Sequence, residues 1–300
     1  MKNSFIYILI TAVLFTTLEP VSKLIASDVS PMAMTCIRYL IGGVILLPFA
    51  IHKMKKGNVK LDGKDYGMLA FLGVLCICVS MTLLQFAVKT ADSPALIAII
   101  FSSNSVFTIL LAIFVLKEKL TVQKILAVAL CILGVIVCAD FSSGTNLLSI
   151  VYALGAAISF SLYTVFSKKY SQKISGMIQT SFSFFFGSLV LLAILLLTGE
   201  NLFAGVDSFK NISILLYLGI AITGVGYWAF FKALEKSSAT AASTVFFIKP
   251  ILAPFATFLI NGIVPGYRVF LALILVVAGS VLTIVEPKTK EIEGKQDECL

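Results

Sequence analysis

Four charged side chains interrupt long apolar runs, and their types and spacing favour the binding of a small charged solute. Glu19 and Lys23 lie in the first apolar run, Arg38 lies in the second, and Lys249 lies in one of the last. Residues four positions apart share one face of a helix, so Glu19 and Lys23 could form an ion pair. An ionised group within a membrane is costly unless it is paired or faces water, so each of these residues indicates a functional site.

The depth of Glu19 matches the depth of Arg38. At 1.5 Å per helical residue, Glu19 lies about 9 Å from the end of its run and Arg38 about 10 Å from the start of the next. Two interpretations stay open for Glu19: a buried structural pair with Arg38 or Lys23, or a carboxylate that binds a proton or a cationic group. Pro20 lacks an N–H group and indicates a kink that frees backbone carbonyls beside the carboxylate.

Lys249 and Asn104 form a second pair of candidates, each 11 residues into its apolar run. Either Lys249 caps carbonyls freed by Pro250 while Asn104 bridges two helices, or both side chains face a cavity. Apart from Glu286, the last residue of the tenth run, no acidic residue accompanies Lys249 in the last two runs, which favours the cavity. The embedded charges then have an excess of two positive charges, which suits a substrate with a carboxylate or a phosphate.

Further polar and aromatic side chains at intermediate depth are candidates to line the same cavity. They are Gln85, Tyr163, Thr164, Gln179, Tyr227 and Trp228. Trp228 lies too far inside its run to be an interfacial anchor. The segment 182–186, rich in phenylalanine, is most simply interpreted as bulk that faces lipid.

These side chains must be positioned by membrane-spanning helices, because 59% of the 300 residues are hydrophobic and only 13% are charged. Apolar stretches of about 18 residues or more predict membrane spans. Ten are predicted: 5–25, 31–51, 66–88, 93–116, 121–139, 147–167, 174–198, 211–234, 238–261 and 268–286. The connections are too short to hold a soluble domain, so the fold class is an all-α integral membrane protein.

Residues 145 positions apart match along most of the chain. Gly42 corresponds to Gly187, Phe101 to Phe246 and Gly134 to Gly279; of the charged positions, Lys23 corresponds to Lys168. Five spans per copy place the second copy upside down relative to the first, which is typical of alternating-access transporters. We therefore expect two inverted five-helix repeats, 1–145 and 146–286, around a central cavity, followed by a cytoplasmic tail, 287–300.

The basic residues predict the orientation. Seventeen of the 23 lysines and arginines fall on the side that holds both termini, and three fall on the opposite side. Because cytoplasmic loops are enriched in lysine and arginine, both termini are expected in the cytoplasm of a multi-pass protein of the plasma membrane. The net charge of +8 therefore reflects topology and a lipid-bilayer partner, and does not indicate nucleic acid.

Patterns for catalysis and cofactors are missing from the sequence. His52 is the only histidine, and five of the six cysteines lie inside predicted spans, so neither a metal site nor a cofactor is expected. No catalytic residue is expected, because an acid–base pair at one depth is missing. No segment matches a nucleotide-binding loop, so the energy for transport must come from a gradient or from exchange.

The chain resembles the EamA-type, ten-helix branch of the drug/metabolite transporter superfamily. The residues that carry the resemblance are 14–23, Ser30-Pro31 with Arg38-Tyr39, Leu116–Leu120 with Ala127 and Gly134, Ala233–Ala239, Lys249-Pro250 and Gly279. Ser105 stands where this branch has proline in the fourth span, and Gly262-Ile263 stands where a Gly-Glu pair follows the ninth. One half is therefore expected to differ from the other in stiffness or gating.

The resemblance implies a basket of helices in which spans one, three, four, six, eight and nine line the cavity and spans five and ten are peripheral. It also implies a secondary transporter, with export of an amino acid or a similar small metabolite as the leading interpretation. A carrier of an amphipathic or lipid-linked substrate, with 182–186 lining a lateral opening, is the alternative within transport. A membrane-embedded enzyme is the remote alternative. Proton coupling and a homodimer stay open.

Overall fold

The computed structural model describes residues 2–115, 122–138, 147–170, 173–236 and 245–284, and within these ranges every regular element is helical. Three predictions lie outside the described residues: the tail 287–300, the motif Leu116–Leu120, and the end of the motif Ala233–Ala239. The all-helical fold class predicted from the apolar runs agrees with the described part of the chain.

The first half of the chain begins with a helix that breaks after four turns. Its helices are α1 (Lys2–Thr16), α2 (Leu18–Lys23), α3 (Pro31–Lys56), α4 (Gly63–Gly73), α5 (Thr82–Thr90), α6 (Pro94–Ser102), α7 (Asn104–Val115) and α8 (Val122–Cys138). A π-helical segment, Val74–Met81, joins α4 to α5.

The second half follows a similar order. Its helices are α9 (Leu147–Tyr170), α10 (Gly176–Thr198), α11 (Phe209–Leu216), α12 (Tyr227–Lys236), α13 (Val245–Asn261) and α14 (Tyr267–Ile284). A second π-helical segment, Tyr217–Gly226, joins α11 to α12.

Seven helical stretches of the described chain are long and apolar enough to cross a membrane. They are Phe5–Lys23, Pro31–Lys56, Gly63–Thr90, Pro94–Val115, Leu147–Tyr170, Gly176–Thr198 and Phe209–Ala233. The shorter apolar helices Val122–Val137, Ile248–Asn261 and Tyr267–Gly279 overlap the remaining predicted spans. The described helices therefore overlap the predicted runs, and seven stretches meet the length of a membrane span.

Local sequence explains where several helices begin. The Ser30 side chain accepts a hydrogen bond from Ala33 N, and Pro31 occupies the first turn, where no N–H group is needed. At the start of α4, Asp62 and Asp65 form a reciprocal capping box, each side chain accepting from the backbone N–H of the other. Short loops between capped helices then bring successive helices side by side.

Two membrane helices of the first half are interrupted at polar residues. Thr17 separates α1 from α2, and its hydroxyl lies 2.8 Å from Leu14 O and 2.9 Å from the Tyr217 hydroxyl. Ser103 separates α6 from α7, and its hydroxyl donates to Ile100 O at 2.6 Å. Pro20 follows the first break, as its missing N–H group predicts. Pro250, in contrast, lies inside the continuous helix α13.

The two halves pack against each other through glycines. Helix α3 lies along α10 and along the second π-helical segment, so Gly42 faces Thr223 and Gly43 faces Phe185. A Cβ atom at Gly73 would lie 2.7 Å from Gly187 N, which leaves no room for a side chain. Small residues allow such close helix approach in a membrane, where apolar burial drives association only weakly. The interface between halves is therefore the core of the molecule.

Candidate functional site

A central cavity of about 50 Å³ lies at the interface between the two halves. Its lining residues are Phe15, Leu18, Arg38, Tyr39, Met81, Phe101, Ser102, Asn104, Phe160, Ile222, Thr223, Tyr227 and Lys249. All six predicted lining spans contribute, and α3 adds Arg38 and Tyr39. A water needs at least about 10–15 Å³ of such volume, so in this conformation the cavity has room for only a few waters.

An ion pair between Glu19 and Lys249 lies beside the cavity and joins the two halves. Lys249 Nζ donates to Glu19 Oε1 at 2.6 Å, and the exposed fractions of the two side chains are 8% and 0%. The prediction that Glu19 pairs with Arg38 or Lys23 is therefore wrong, and Lys249 does have an acidic partner. The helix break at Thr17 and Pro20 places this carboxylate, because α2 starts a new helical segment at Leu18.

The second oxygen of Glu19, Oε2, is buried without a hydrogen-bond partner. Lys249 Nζ lies 5.5 Å from the centre of the Phe101 ring, a cation–π distance that stabilises the ammonium. Removing two charges from water is expensive, and the attraction between them repays that cost only when the geometry is good. The contact with Lys249 is short, but it satisfies only one of the two carboxylate oxygens of Glu19.

Arg38 lies in the interior of α3 and lines the cavity with only 1% of its surface exposed. Its Nε and Nη2 atoms are buried without a hydrogen-bond partner. The guanidinium carbon lies 4.4 Å from the centre of the Tyr39 ring. Since Glu19 matches the charge of Lys249, Arg38 is the uncompensated cation among the charged residues at the described cavity.

Lys23 does not line the cavity. Its Nζ donates to Val88 O and Lys89 O at 3.1 Å, and to Ala91 O at 2.5 Å. These carbonyls end α5, where a cation is favourable because the last carbonyls of a helix lack intrahelical partners. The excess of two positive charges expected from the sequence is therefore reduced to one at the cavity.

Among the predicted polar residues, Asn104 lines the cavity and Gln85 does not. Asn104 begins α7, and its side-chain amide donates to Phe101 O at 2.8 Å. Its backbone carbonyl lies 2.7 Å from the Ser161 hydroxyl, which lies equally close to Ala157 O in its own helix, so a residue of the second half contacts the break in the fourth span. Gln85 donates to the Ser22 hydroxyl at 3.3 Å, and its Oε1 is unpartnered.

The aromatic candidates divide between the cavity and its surroundings. Tyr227 lines the cavity, whereas Tyr163 packs against Phe160, which lines it. Trp228 packs edge-on against the Tyr7 ring at 5.7 Å and lies outside the lining. Adjacent residues on one helix point to different sides, so the side that each aromatic residue faces could not be derived from depth alone.

Phe184 contradicts the prediction that segment 182–186 faces lipid. It is fully buried, and its ring lies 4.7 Å from Tyr39 and 4.8 Å from Tyr227. Phe184 therefore packs against both tyrosines that line the cavity. Sequence analysis missed Tyr39 as a lining residue, although its position beside Arg38 was the available signal.

Polar contacts join the two halves at both ends of the molecule. At one end, Asp65 accepts from Tyr170 and from Lys173, whose Nζ lies 2.5 Å from Asp65 Oδ1 and 3.6 Å from Asp62 Oδ2. The hydrogen bond to Asp65 raises the pKa of Lys173. This group of four side chains, Asp62, Asp65, Tyr170 and Lys173, is called the inner cluster, because the predicted orientation places it on the cytoplasmic side.

At the opposite end, Asp28 Oδ2 accepts from Asn211 Nδ2 at 3.2 Å, and Lys210 Nζ donates to Leu24 O at 3.1 Å. Hydrogen bonds from Ser27 and Asn211 lower the pKa of Asp28. Both ends of the interface are therefore held together while the cavity is small. Within the described residues, no group of histidine, cysteine, aspartate or glutamate side chains is able to hold a metal ion.

A model of the EamA-like transporter family matches the chain twice, over residues 2–139 and 147–285. The chain belongs to the EamA-like transporter family. An uncharacterized transporter of Clostridium kluyveri is 38% identical, with 94% of this chain and 93% of that protein covered. The S-adenosylmethionine uptake transporter of Rickettsia prowazekii is 20% identical over 98% of this chain and 96% of its own length.

A solved crystal structure resembles the fold, with a TM-score of 0.63 over 94% of this chain and 96% of the other. At 15% identity this likeness concerns the fold alone. Family membership and the apolar helices together make the chain a multi-pass membrane transporter of the EamA and drug/metabolite type. The resemblance noted from the sequence motifs is thereby confirmed.

Proposed function

We propose that this protein is a secondary transporter that moves a small polar or zwitterionic metabolite by alternating access. The observation that carries the proposal is the buried ion pair of Glu19 and Lys249, which joins the two halves beside a small central cavity. A contact of this kind must change when the halves move apart. A substrate amine or a proton replaces Lys249 as the partner of Glu19 in this scheme, which links binding to movement.

The repeat is the second part of the proposal: residues 1–145 and 146–286 are two inverted five-helix units. The two π-helical segments support it, because Val74–Met81 and Tyr217–Gly226 occupy corresponding positions at the 145-residue offset. The family model also matches once in each half. Inverted repeats place a substrate site near the bilayer midplane, between the units.

The direction, the substrate class and the membrane are further parts of the proposal. We favour export of an amino acid or a related zwitterion across the plasma membrane, with both termini in the cytoplasm. The Rickettsia relative's printed substrate, S-adenosylmethionine, adds an amino acid derivative to the compounds worth testing. The burial of Phe184 counts against a lateral opening lined by segment 182–186, which the lipid-linked alternative requires.

Transport into proteoliposomes tests the proposal. Purified full-length protein, reconstituted with a pH gradient of either sign, is expected to accumulate radiolabelled amino acids or S-adenosylmethionine above protein-free vesicles. Glu19→Gln is expected to abolish this uptake, whereas Lys169→Gln, which removes an exposed charge on α9, leaves it intact. Uptake no greater than in protein-free vesicles for every water-soluble compound would contradict the proposal, and pH-dependent rates in Glu19→Gln would exclude Glu19 as the proton site.

A further inference from the structure

The guanidinium of Arg38 is buried beside the cavity with two of its nitrogen atoms unused. Nε and Nη2 have no hydrogen-bond partner, and the residue is 1% exposed. Buried donors are nearly always paired in proteins, and an unpaired buried charge is more costly than an unpaired neutral group. This cost must be offset by something that the described residues do not supply.

The two unused atoms lie on the same edge of the guanidinium group. Nε–H and one Nη2–H point in nearly parallel directions, which is the arrangement that binds both oxygens of a carboxylate or of a phosphate. The remaining nitrogen, Nη1, is not among the unpartnered atoms. The free edge is therefore suited to one planar, two-oxygen partner.

The charges around the cavity also indicate an anionic partner for Arg38. The guanidinium group of an arginine in a protein carries a positive charge. Glu19 is engaged with Lys249 at 2.6 Å, and Tyr39, whose ring centre lies 4.4 Å from the guanidinium carbon, carries no opposing charge. One negative charge is missing from the described site.

We propose that the Nε–Nη2 edge of Arg38 binds an anionic group of the transported compound, a carboxylate or a phosphate. This inference rests on the proposed transport function and names the substrate class for it. The compound enters the cavity with its anionic group toward α3, and this group supplies the negative charge that the described site lacks. A zwitterion also carries the amine that, in the proposed transport scheme, replaces Lys249 as the partner of Glu19.

Thermal stability of the purified full-length protein tests binding without a gradient. The probes are L-amino acids, each paired with its amide, and inorganic phosphate and glycerol 3-phosphate, paired with glycerol. A ligand that binds only the folded state raises the unfolding midpoint. At least one carboxylate or phosphate compound is expected to raise the midpoint of the wild type, and its uncharged counterpart is not.

Three variants assign the effect to Arg38. Arg38→Met should weaken the apparent affinity for the stabilising compound by about 30-fold or more, because the partner charge loses its match. Arg38→Lys keeps the charge but loses the two-point edge, so the loss should be intermediate. Arg268→Met is the matched control, since Arg268 also adjoins a tyrosine, Tyr267, but does not line the cavity.

Ligand-free stability separates a binding arginine from a structural one. If the role of Arg38 is to bind a ligand, Arg38→Met removes an uncompensated buried charge. The unfolding midpoint of the ligand-free protein should then stay level or rise. A lower ligand-free midpoint together with unchanged ligand stabilisation would overturn the inference, as would a panel in which no anionic compound stabilises the wild type. Whether the carboxylate or the phosphate arm responds identifies the source of the anion.

The transport assay keeps this inference distinct from the proposed function. Anion stabilisation that requires Arg38, without uptake by wild-type proteoliposomes, would leave the binding site standing and contradict the transport scheme. Equal uptake of an anionic compound by the wild type and by Arg38→Met would leave transport standing and overturn the role of Arg38.

Discussion

The two halves of the chain share a helical framework but differ where they meet the cavity. Both halves carry a π-helical segment at corresponding positions, in Val74–Met81 and Tyr217–Gly226. In the first half, the helices are interrupted at Thr17 and Ser103, whereas α9 and α13 are continuous at the corresponding positions. The shared elements build the interface, and the breaks place polar groups at its centre.

The charges differ between the halves in the same way. At the 145-residue offset, Glu19 corresponds to Thr164, Arg38 to Ser183, and Lys249 to Asn104. The first half therefore supplies the acid and one cation, and the second half supplies the cation that pairs with the acid. Sequence divergence between matched positions turns a symmetric framework into a site with distinct ends.

Breaking the ion pair between the halves should give the largest effect. Glu19→Gln or Lys249→Met leaves one buried polar or charged partner unmatched, and we expect a loss of about 3–5 kcal/mol in stability together with a loss of transport. The free energy of unfolding in mild detergent measures the first effect, and proteoliposome uptake measures the second.

The double variant Glu19→Gln with Lys249→Met provides the control for this prediction. It removes both charges, so much of the lost stability should return while transport stays absent. Equal stability of the wild type and both single variants would show that the pair contributes nothing across the interface.

The positions of the helices could be predicted from the sequence because a span needs a long apolar run. The partners across the interface could not. Depth along a helix placed Glu19 level with Arg38, but it does not give the direction in which each side chain points. Lys249 is 230 positions away from Glu19, so only the packing of α13 against α2 brings them together.

The breaks show a second limit of sequence reasoning. A helix break at Thr17 precedes Pro20, yet α13 continues through Pro250 and Pro254, while α6 ends at Ser102 without a proline. In that break, the hydroxyl of Ser103 satisfies the Ile100 carbonyl, an effect that depends on the local rotamer. Hydroxyl side chains compete with the backbone hydrogen bonds of a helix. Because they also occur in many intact helices, they are weak predictors of a helix break.

The glycine contact between halves gives the second prediction. Gly73→Val places methyl groups where the backbone of Gly187 lies, so we expect a loss of about 1–3 kcal/mol or misassembly of α4 against α10. Gly67→Val on the same helix is the control, because a Cβ there meets nothing within 4 Å. Unfolding measurements that find the two variants equally stable would contradict the close approach.

The inner cluster gives the third prediction and compares the two ends of the interface. Tyr170→Phe with Lys173→Ala removes two donors to Asp65, so we expect faster hydrogen–deuterium exchange in 62–66 and 173–178. The exchange rates near Asp28, at the opposite end, should not rise. Lys169→Ala removes an exposed lysine of α9 and should leave both ends unchanged. A rise at neither end would show that the cluster does not hold the halves together.

The contact between Asp28 and Asn211, at the end opposite the inner cluster and called the outer contact, should have the smallest effect on stability. The dependence of this effect on pH has a defined sign. Hydrogen bonds from Ser27 and Asn211 lower the pKa of Asp28 below its ordinary value of 3.8. A carboxyl whose folded-state pKa is lowered contributes stability above its unfolded-state pKa, and loses that contribution as the pH falls through the folded-state pKa. The midpoint of the wild type should therefore exceed that of Asp28→Asn near neutral pH, and the difference should shrink on acidification below about pH 4.

Asp207→Asn is the matched control for the outer contact, because Asp207 is exposed and lies close to Asn211 in the sequence. It should follow the wild type across the same pH range. A difference between the wild type and Asp28→Asn that grows on acidification would reverse the sign and exclude the contact with Asn211. If the difference shrinks as expected while exchange at the inner cluster stays constant, the two ends of the interface open independently.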